Sequence, residues 1–158
     1  SKYMKSEGNI SSNISLNWDN IIELSRNPLV TLGCHGVDHI SLQNLTEEEI
    51  KRDLIESKKR IELKIGKPVI HYSFPFGIFP QSQIKIRDIL EYQGFTTAVT
   101  SSKGNINTFS REVRYNLPRL TLHSQTEMKE FRAQSSNIFN SLSRLYSIPT
   151  LAWRKYLN

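Results

Sequence analysis

Alternation between strand-like and helix-like segments is the feature that most constrains the fold of this 158-residue chain. Apolar residues recur at helical spacing in three segments, and short β-branched or aromatic runs lie between them. The pattern predicts helices at 17–26, 46–65 and 82–93 and strands at 27–34, 69–74 and 95–101. Strands separated by helices of this size pair in parallel through right-handed crossovers, so we expect an α/β fold. Residues that carry chemistry should then lie on the loops that follow the strands.

The ends of the helices carry recognisable signals. Thr46 and Glu49 have the spacing of a capping box at the start of the second helix, and Gly66 marks its end. The first helix begins after Asn17 or Ser15, either of which is a suitable N-cap. Clear start and stop signals make the second helix the best defined element of the prediction.

The pattern weakens after residue 105. A further strand is predicted at 116–123 and a short helix at 126–134, capped by Thr126. The remaining segment, 135–158, mixes aromatic with Ser, Asn and basic residues, and it could dock on this domain, on a partner or on a membrane face. We favour docking on the domain, and we divide the chain into a domain at 1–134 and a basic, aromatic segment at 135–158.

Composition excludes several classes of protein. No apolar run reaches the roughly 18 to 20 residues that cross a bilayer, and the single cysteine, Cys34, excludes an internal disulfide framework or a thiolate zinc cluster. The net charge is +6, and residues 111–158 hold eight basic and three acidic side chains. Such a bias can indicate an anionic partner. Nucleic acid is not expected, because no helix-turn-helix, RNP or zinc-finger pattern is present.

Two histidines follow the first predicted strand, in the stretch TLGCHGVDHISL at 31–42. His35 and His39 are four residues apart, so both imidazoles can face one cation, for which zinc is the best candidate. The stretch is not the HExxH motif of a zinc protease, because Gly36 stands in the position of the essential glutamate of that motif. Asp38 is a possible third ligand, although its position would point it away from the pair. Two surface histidines also arise at this spacing by chance.

A second informative stretch, HYSFPFG at 71–77, ends the next strand. Pro75 and Gly77 predict a sharp turn that would project the backbone N–H of Phe76 above the sheet. A backbone donor aimed at a developing oxyanion is a large catalytic contribution in acyl-group hydrolysis. The alternative is an ordinary aromatic-rich strand end, and His71 is more easily explained as a packed residue than as a catalytic acid.

The order of these segments resembles the polysaccharide deacetylase family, also called the NodB-homology domain or carbohydrate esterase family four. The resemblance runs from about residue 17 to 132 and is strongest in the block GCHGVDHISLQNLTEEEI and in FPFG. It implies a distorted (β/α) barrel, a divalent metal such as Zn²⁺ and hydrolysis of N-acetyl groups. His35 and His39 match the two metal-binding histidines, and Phe76 matches the residue whose N–H binds the oxyanion.

Three family features are altered in this sequence. The acidic Thr-Phe-Asp-Asp type motif, which supplies the base and a metal ligand, has no match upstream of Trp18, so we expect a barrel that is incomplete at its N-terminus. Ser73 stands where many members have an arginine, and Arg119 is a candidate to orient a carboxylate in its place, with a structural salt bridge as the alternative. The late Leu-x-His motif is approximated by LTLH, so His123 is a candidate general acid or an exposed loop histidine.

The resemblance implies a metal-dependent hydrolase that removes N-acetyl groups from an amino-sugar polysaccharide or glycolipid of the bacterial cell envelope. The basic C-terminal segment would then favour peripheral contact with an anionic envelope surface. The alternative is a catalytically inactive, deacetylase-like chain that binds glycan without its carboxylate base. The absent acidic motif favours the second function, and the retained histidines favour the first.

Overall fold

A computed structural model describes residues 15–80, 85–106 and 110–135. In these ranges five α-helices and three β-strands follow one another in the order α1 Trp18–Arg26, α2 Glu47–Ile65, β1 His71–Ser73, α3 Ile86–Tyr92, β2 Thr97–Lys103, α4 Arg111–Arg114, β3 Leu117–Arg119 and α5 Met128–Ser135. Two short 3-10 turns lie at Leu42–Asn44 and Pro75–Gly77. None of the helices in the described ranges is long and apolar enough to span a membrane.

The three strands form a parallel sheet in the order β1-β2-β3. His71 lies opposite Thr97 at the start of the β1–β2 register, and a β-bulge or similar irregularity interrupts the β2–β3 pairing between Val99 and Lys103. The predicted α/β class with parallel pairing is therefore confirmed. Among residues 15–80, 85–106 and 110–135 the sheet is not closed, so the predicted distorted barrel is not confirmed.

The predicted strand at 27–34 is reduced to a single parallel bridge, from Cys34 to Tyr72. Cys34 N–H donates to His71 O at 2.9 Å, and Ser73 N–H donates to Cys34 O at 2.8 Å. Before this bridge the backbone forms no strand, and Leu29 is 92% exposed. The prediction of a buried strand over the whole range was wrong, because an apolar run becomes a strand only where a neighbour accepts its backbone hydrogen bonds.

The core is built mainly from the sheet and the helices α2 and α3. The aromatic residues Tyr72, Phe74 and Phe95 are buried, and the Tyr72 ring contacts the other two edge to face, with centroids 5.3 and 5.6 Å apart. Helix α2 contributes Ile50 and Leu54, both completely buried. Such side chains stabilise a domain by about 1.5–3 kcal/mol each when fully removed from water, so this cluster fixes the sheet beneath the loops that follow it.

The capping signals of the two N-terminal helices are confirmed. Asn17 caps α1, and Thr46 caps α2 in a reciprocal capping box with Glu49. Gly66 ends α2 in the left-handed conformation, with φ of 68°. Glu49 accepts hydrogen bonds from the backbone and side chain of Thr46, and these bonds lower its pKa.

The C-terminal half departs further from the prediction. Helix α4 was not predicted, and the strand expected at 116–123 is limited to β3. Thr126 does not cap α5, because that helix begins at Met128 and the Thr126 hydroxyl accepts from His123 N–H at 2.8 Å. The predicted helix at 82–93 is confirmed over α3, while its first turn at 82–84 and the segment 136–158 lie outside the described residues.

Candidate functional site

The two predicted metal ligands lie together just beyond the Cys34 bridge. The ring centroids of His35 and His39 are 4.8 Å apart, with an interplanar angle of 63°. The Nδ1 atom of His35 lies 2.8 Å from the carbonyl oxygen of Ser73. Because a carbonyl can only accept, Nδ1 carries the proton in the neutral ring and Nε2 keeps its lone pair. An imidazole anchored in this way has the arrangement typical of a metal-ligating histidine.

The loop between the histidines has an unusual backbone. Gly36 and His39 both have positive φ, 79° and 54° respectively. Between them, the Val37 N–H donates to Asp53 Oδ1 on α2 at 2.9 Å. Left-handed backbone brings the chain around tightly, and this turn allows His39 to lie against His35.

Phe76 completes the cluster from the next strand end. Its ring centroid lies 4.6 Å from that of His39, and its φ is 58°, in the middle of the predicted Pro75–Gly77 turn. The hydrogen bonds that close the turn come from Gly77 N–H and Ile78 N–H, not from Phe76. The side chain is 60% exposed. The predicted sharp turn is therefore present, and it places Phe76 beside the histidine pair.

Gly77 holds this turn against β2. A Cβ at Gly77 would lie 2.3 Å from Ser101 Cβ, a distance that real Cβ atoms do not tolerate. Ser101 Oγ donates to Gly77 O at 3.2 Å, which ties the turn to the end of β2. Close approach of two backbones is thus the physical reason for a glycine at this position.

An open groove of about 520 Å³ lies beside His35, along the segment at 31–35, β1 and the first half of β2. His71 lines it, and His71 Nδ1 lies 2.7 Å from Thr97 Oγ1, so this histidine is held by the neighbouring strand. Cys34 also lines the groove, and burial raises the pKa of its thiol to about 11. The thiol of the metal-free chain is therefore neutral near pH 7.

The two residues predicted from the late motifs lie at and after β3. Arg119 Nε donates to the backbone oxygen of Thr100 at 2.5 Å, so its guanidinium anchors β3 to β2. His123 is exposed in a turn, where its N–H and C=O both bond to Thr126. These contacts explain local structure, and the catalytic roles of Arg119 and His123 stay predictions.

The described side chains supply part of a ligand set for a divalent metal. His35 and His39 supply two neighbouring imidazoles, which suit zinc and similar cations. Among the residues that the structure describes, no three His, Cys, Asp or Glu side chains are grouped to hold a metal ion. Asp38 is exposed and belongs to no such group. The pair thus fits as two ligands of a divalent metal.

Comparison with known proteins identifies the class. The family model for polysaccharide deacetylases matches residues 8–98, more than half of the chain. The chain belongs to the polysaccharide deacetylase family. The matched range includes the loop at 35–39, called here the histidine loop, and the turn Pro75–Gly77, called here the Phe76 turn, and it ends on β2. No curated protein matches the chain.

Solved structures of deacetylases share this fold. A polysaccharide deacetylase from Bacillus cereus superposes with a TM-score of 0.65 at 22% identity, over 76% of this chain and 36% of its own. The Streptococcus pyogenes deacetylase PplD, solved with acetate, gives a TM-score of 0.66 at 15% identity, over 78% and 52%. A de-N-acetylase from Aggregatibacter actinomycetemcomitans gives 0.59 at 19% identity, over 77% and 54%. The chain thus spans about a third to a half of these relatives.

Two contacts at the site were not predicted from the motifs. The Ser73 carbonyl anchors His35, and Asp53 holds the Val37 N–H. A backbone carbonyl leaves no signal in a sequence, because every residue has one. Asp53 does leave a weak signal, since it is an acidic residue next to Leu54 on the buried side of an amphipathic helix.

Proposed function

We propose that this deacetylase-family chain acts as a metal-dependent hydrolase that removes N-acetyl groups from an amino-sugar polysaccharide or glycolipid of the bacterial cell envelope. The observation that carries the proposal is the contact of three side chains, His35, His39 and Phe76, at the ends of two adjacent segments of the sheet. The motifs lie about 40 positions apart in sequence and meet only in the fold, which supports their membership of one site.

His35 and His39 would hold the metal, for which Zn²⁺ is the best candidate. Such an ion supplies Lewis-acid polarisation of the amide carbonyl and lowers the pKa of water. The hydrogen bond from His35 Nδ1 to Ser73 O leaves Nε2 as the ligating atom and restricts rotation of the ring. The Phe76 ring packs on His39 and limits its movement in the same way.

Phe76 serves the reaction through its backbone N–H. Attack on an amide carbonyl places negative charge on oxygen, and a fixed N–H that needs no reorganisation stabilises that charge. The turn from Pro75 to Gly77, tied to β2 through Ser101, supplies the rigidity that this donor needs.

Loss of the amine requires a proton, because an amide nitrogen leaves poorly as an anion. We assign this role to His123, whose position on the surface gives it access to solvent protons. Arg119 would orient a carboxylate near the site. The C-terminal segment 135–158 carries three basic and no acidic residues, and charge alone favours its contact with an anionic envelope surface.

A second candidate is a chain that binds glycan without hydrolysing it. The observation that favours it is the incomplete donor set of the described residues. Two imidazoles without a carboxylate bind a metal weakly, and no base is among the predicted site residues.

Acetate release from N-acetylglucosamine oligomers separates the two functions. With added Zn²⁺ or Co²⁺ we expect slow release of acetate that disappears in the His35→Ala and His39→Ala variants. Lys59→Ala, an exposed change on the outer side of α2, is the matched control and should leave the rate unchanged. Glycan binding without acetate at any metal concentration supports the second function, and fast release that survives loss of both histidines contradicts the proposed site.

A further inference from the structure

Asp53 has an unusual location for a carboxylate. It lies on α2 between Ile50 and Leu54, which are both completely buried, and it is itself half-buried. Moving a carboxylate out of water is costly unless hydrogen-bond donors replace the water. Two other acidic residues of helix α2, Glu47 and Glu56, form i,i+4 ion pairs with Lys51 and Arg60 instead.

The donor that Asp53 meets belongs to the histidine loop. Asp53 Oδ1 accepts from Val37 N–H at 2.9 Å. Its second oxygen, Oδ2, lies 3.1 Å from the point where a Cβ on Gly36 would stand. The carboxylate therefore packs directly against the backbone of the loop, and a glycine at position 36 makes this approach possible.

This loop needs an external support. Gly36 and His39 flank the Val37–Asp38 pair, and both have positive φ. A non-glycine residue such as His39 persists in that region only where its surroundings hold it there. The bond from Val37 to Asp53 joins the middle of the loop to a helix whose own start is fixed by a capping box.

We propose that Asp53 is a positioning residue that holds the loop at 35–39 in the conformation that brings His35 and His39 together. In this role it acts on the metal site through the Val37 N–H, which donates to Asp53 Oδ1, and it is not itself a metal ligand. The structure alone shows the conformation of the loop and its bond to Asp53. The inference that this conformation supports metal binding rests on the proposed function.

Nuclear magnetic resonance of the metal-free chain tests the loop directly. Asp53→Ala removes the acceptor, so we expect the Val37 amide to exchange with solvent about tenfold faster and the ring signals of both histidines to move. Asp53→Asn keeps an acceptor oxygen and should preserve slow exchange. Glu56→Ala, which removes an exposed carboxylate three residues later, is the control. Unchanged exchange and unchanged ring signals in Asp53→Ala would overturn the proposal.

Zinc titration tests the consequence. In Asp53→Ala we expect zinc affinity to fall about tenfold, the lower end of what loss of a supporting contact costs a metal site. Asp53→Asn should stay within about threefold of the unaltered chain. If Asp53→Asn loses affinity as strongly as His35→Ala, the carboxylate acts as a ligand and the positioning role is wrong. If the unaltered chain binds no zinc, the proposed metal site fails, while the amide exchange still decides the role of Asp53 in the loop.

Discussion

Gly66 and Gly77 share almost the same backbone angle and differ in their surroundings. Their φ values are 68° and 66°. A Cβ added to Gly66 would meet nothing within 4 Å, whereas one added to Gly77 would lie 2.3 Å from Ser101 Cβ. The pair therefore separates the cost of left-handed backbone from the cost of lost contact between the Phe76 turn and β2.

We expect Gly77→Ala to destabilise the chain by about 1–3 kcal/mol more than Gly66→Ala, because both variants strain φ but only the first forces two backbones apart. Urea denaturation of the two variants beside the unaltered chain measures the difference. Equal losses of unfolding free energy would show that the turn does not pack on Ser101 as described.

Cys34 offers a second test at the scale of one residue. Burial raises its thiol pKa from 9.0 to about 11, so at pH 8 about one folded molecule in 1,000 carries the reactive thiolate. We expect Ellman's reagent to modify the folded chain at least about 100-fold more slowly than the chain in denaturant. The chain has one cysteine, so the signal has a single source. Equal rates would contradict the burial of Cys34.

The same pKa shift predicts a pH dependence of stability. The folded state holds the thiol proton more tightly than the unfolded chain, so the stabilising contribution is complete below about pH 9 and is lost as the pH rises towards 11. A Cys34→Ala variant should lack this part of the alkaline loss. Identical alkaline profiles for the two chains would show that Cys34 titrates normally.

At the scale of the element, α2 links the sheet to the histidine loop, and its stability depends on its first turn. We expect Thr46→Ala to destabilise the chain by about 1 kcal/mol, as loss of an N-cap usually does. Because hydrogen bonds from Thr46 lower the Glu49 pKa, the benefit of the box is present above the ordinary Glu pKa and is lost as the pH falls and Glu49 protonates.

A double-mutant cycle of Thr46→Ala and Glu49→Gln, followed by urea denaturation at pH 7, checks this coupling. The losses of the two single variants should sum to more than the loss of the double variant. Glu48→Gln, in the same turn but outside the box, is the control for charge at the helix start. Strictly additive losses would contradict the reciprocal box.

Helices whose ends carry their own capping residues could be predicted from the sequence. Strands and turns that depend on contacts with other segments could not. Thr46 and Gly66 are local signals, and they placed α2 correctly. The strand at 27–34 failed because its identity depends on a partner, and only Cys34 has one. Thr126 looks like a cap by type, yet its hydroxyl bonds to His123 instead, in a turn that no periodicity reveals.

At the scale of the whole molecule, the two motifs at 31–42 and 71–77 predicted where two extended segments end. Parallel pairing of these segments brings their ends together. His39 and Phe76 are 37 positions apart in sequence, and their rings are 4.6 Å apart because Cys34 pairs with Tyr72 of β1. Asp53 could not be assigned in this way, since its role depends on a contact between a helix and a loop rather than on a motif.

Isothermal titration with Zn²⁺ tests the central claim, that His35 and His39 belong to one metal site. The chain has four histidines, so the contribution of His35 and His39 to zinc binding can be compared with that of a histidine outside the site. We expect one zinc ion per chain and an affinity at least about tenfold weaker in His35→Ala and in His39→Ala. His123→Ala should bind as the unaltered chain does, because His123 lies in an exposed turn. Absence of zinc binding, or binding that survives loss of both His35 and His39, would contradict the account.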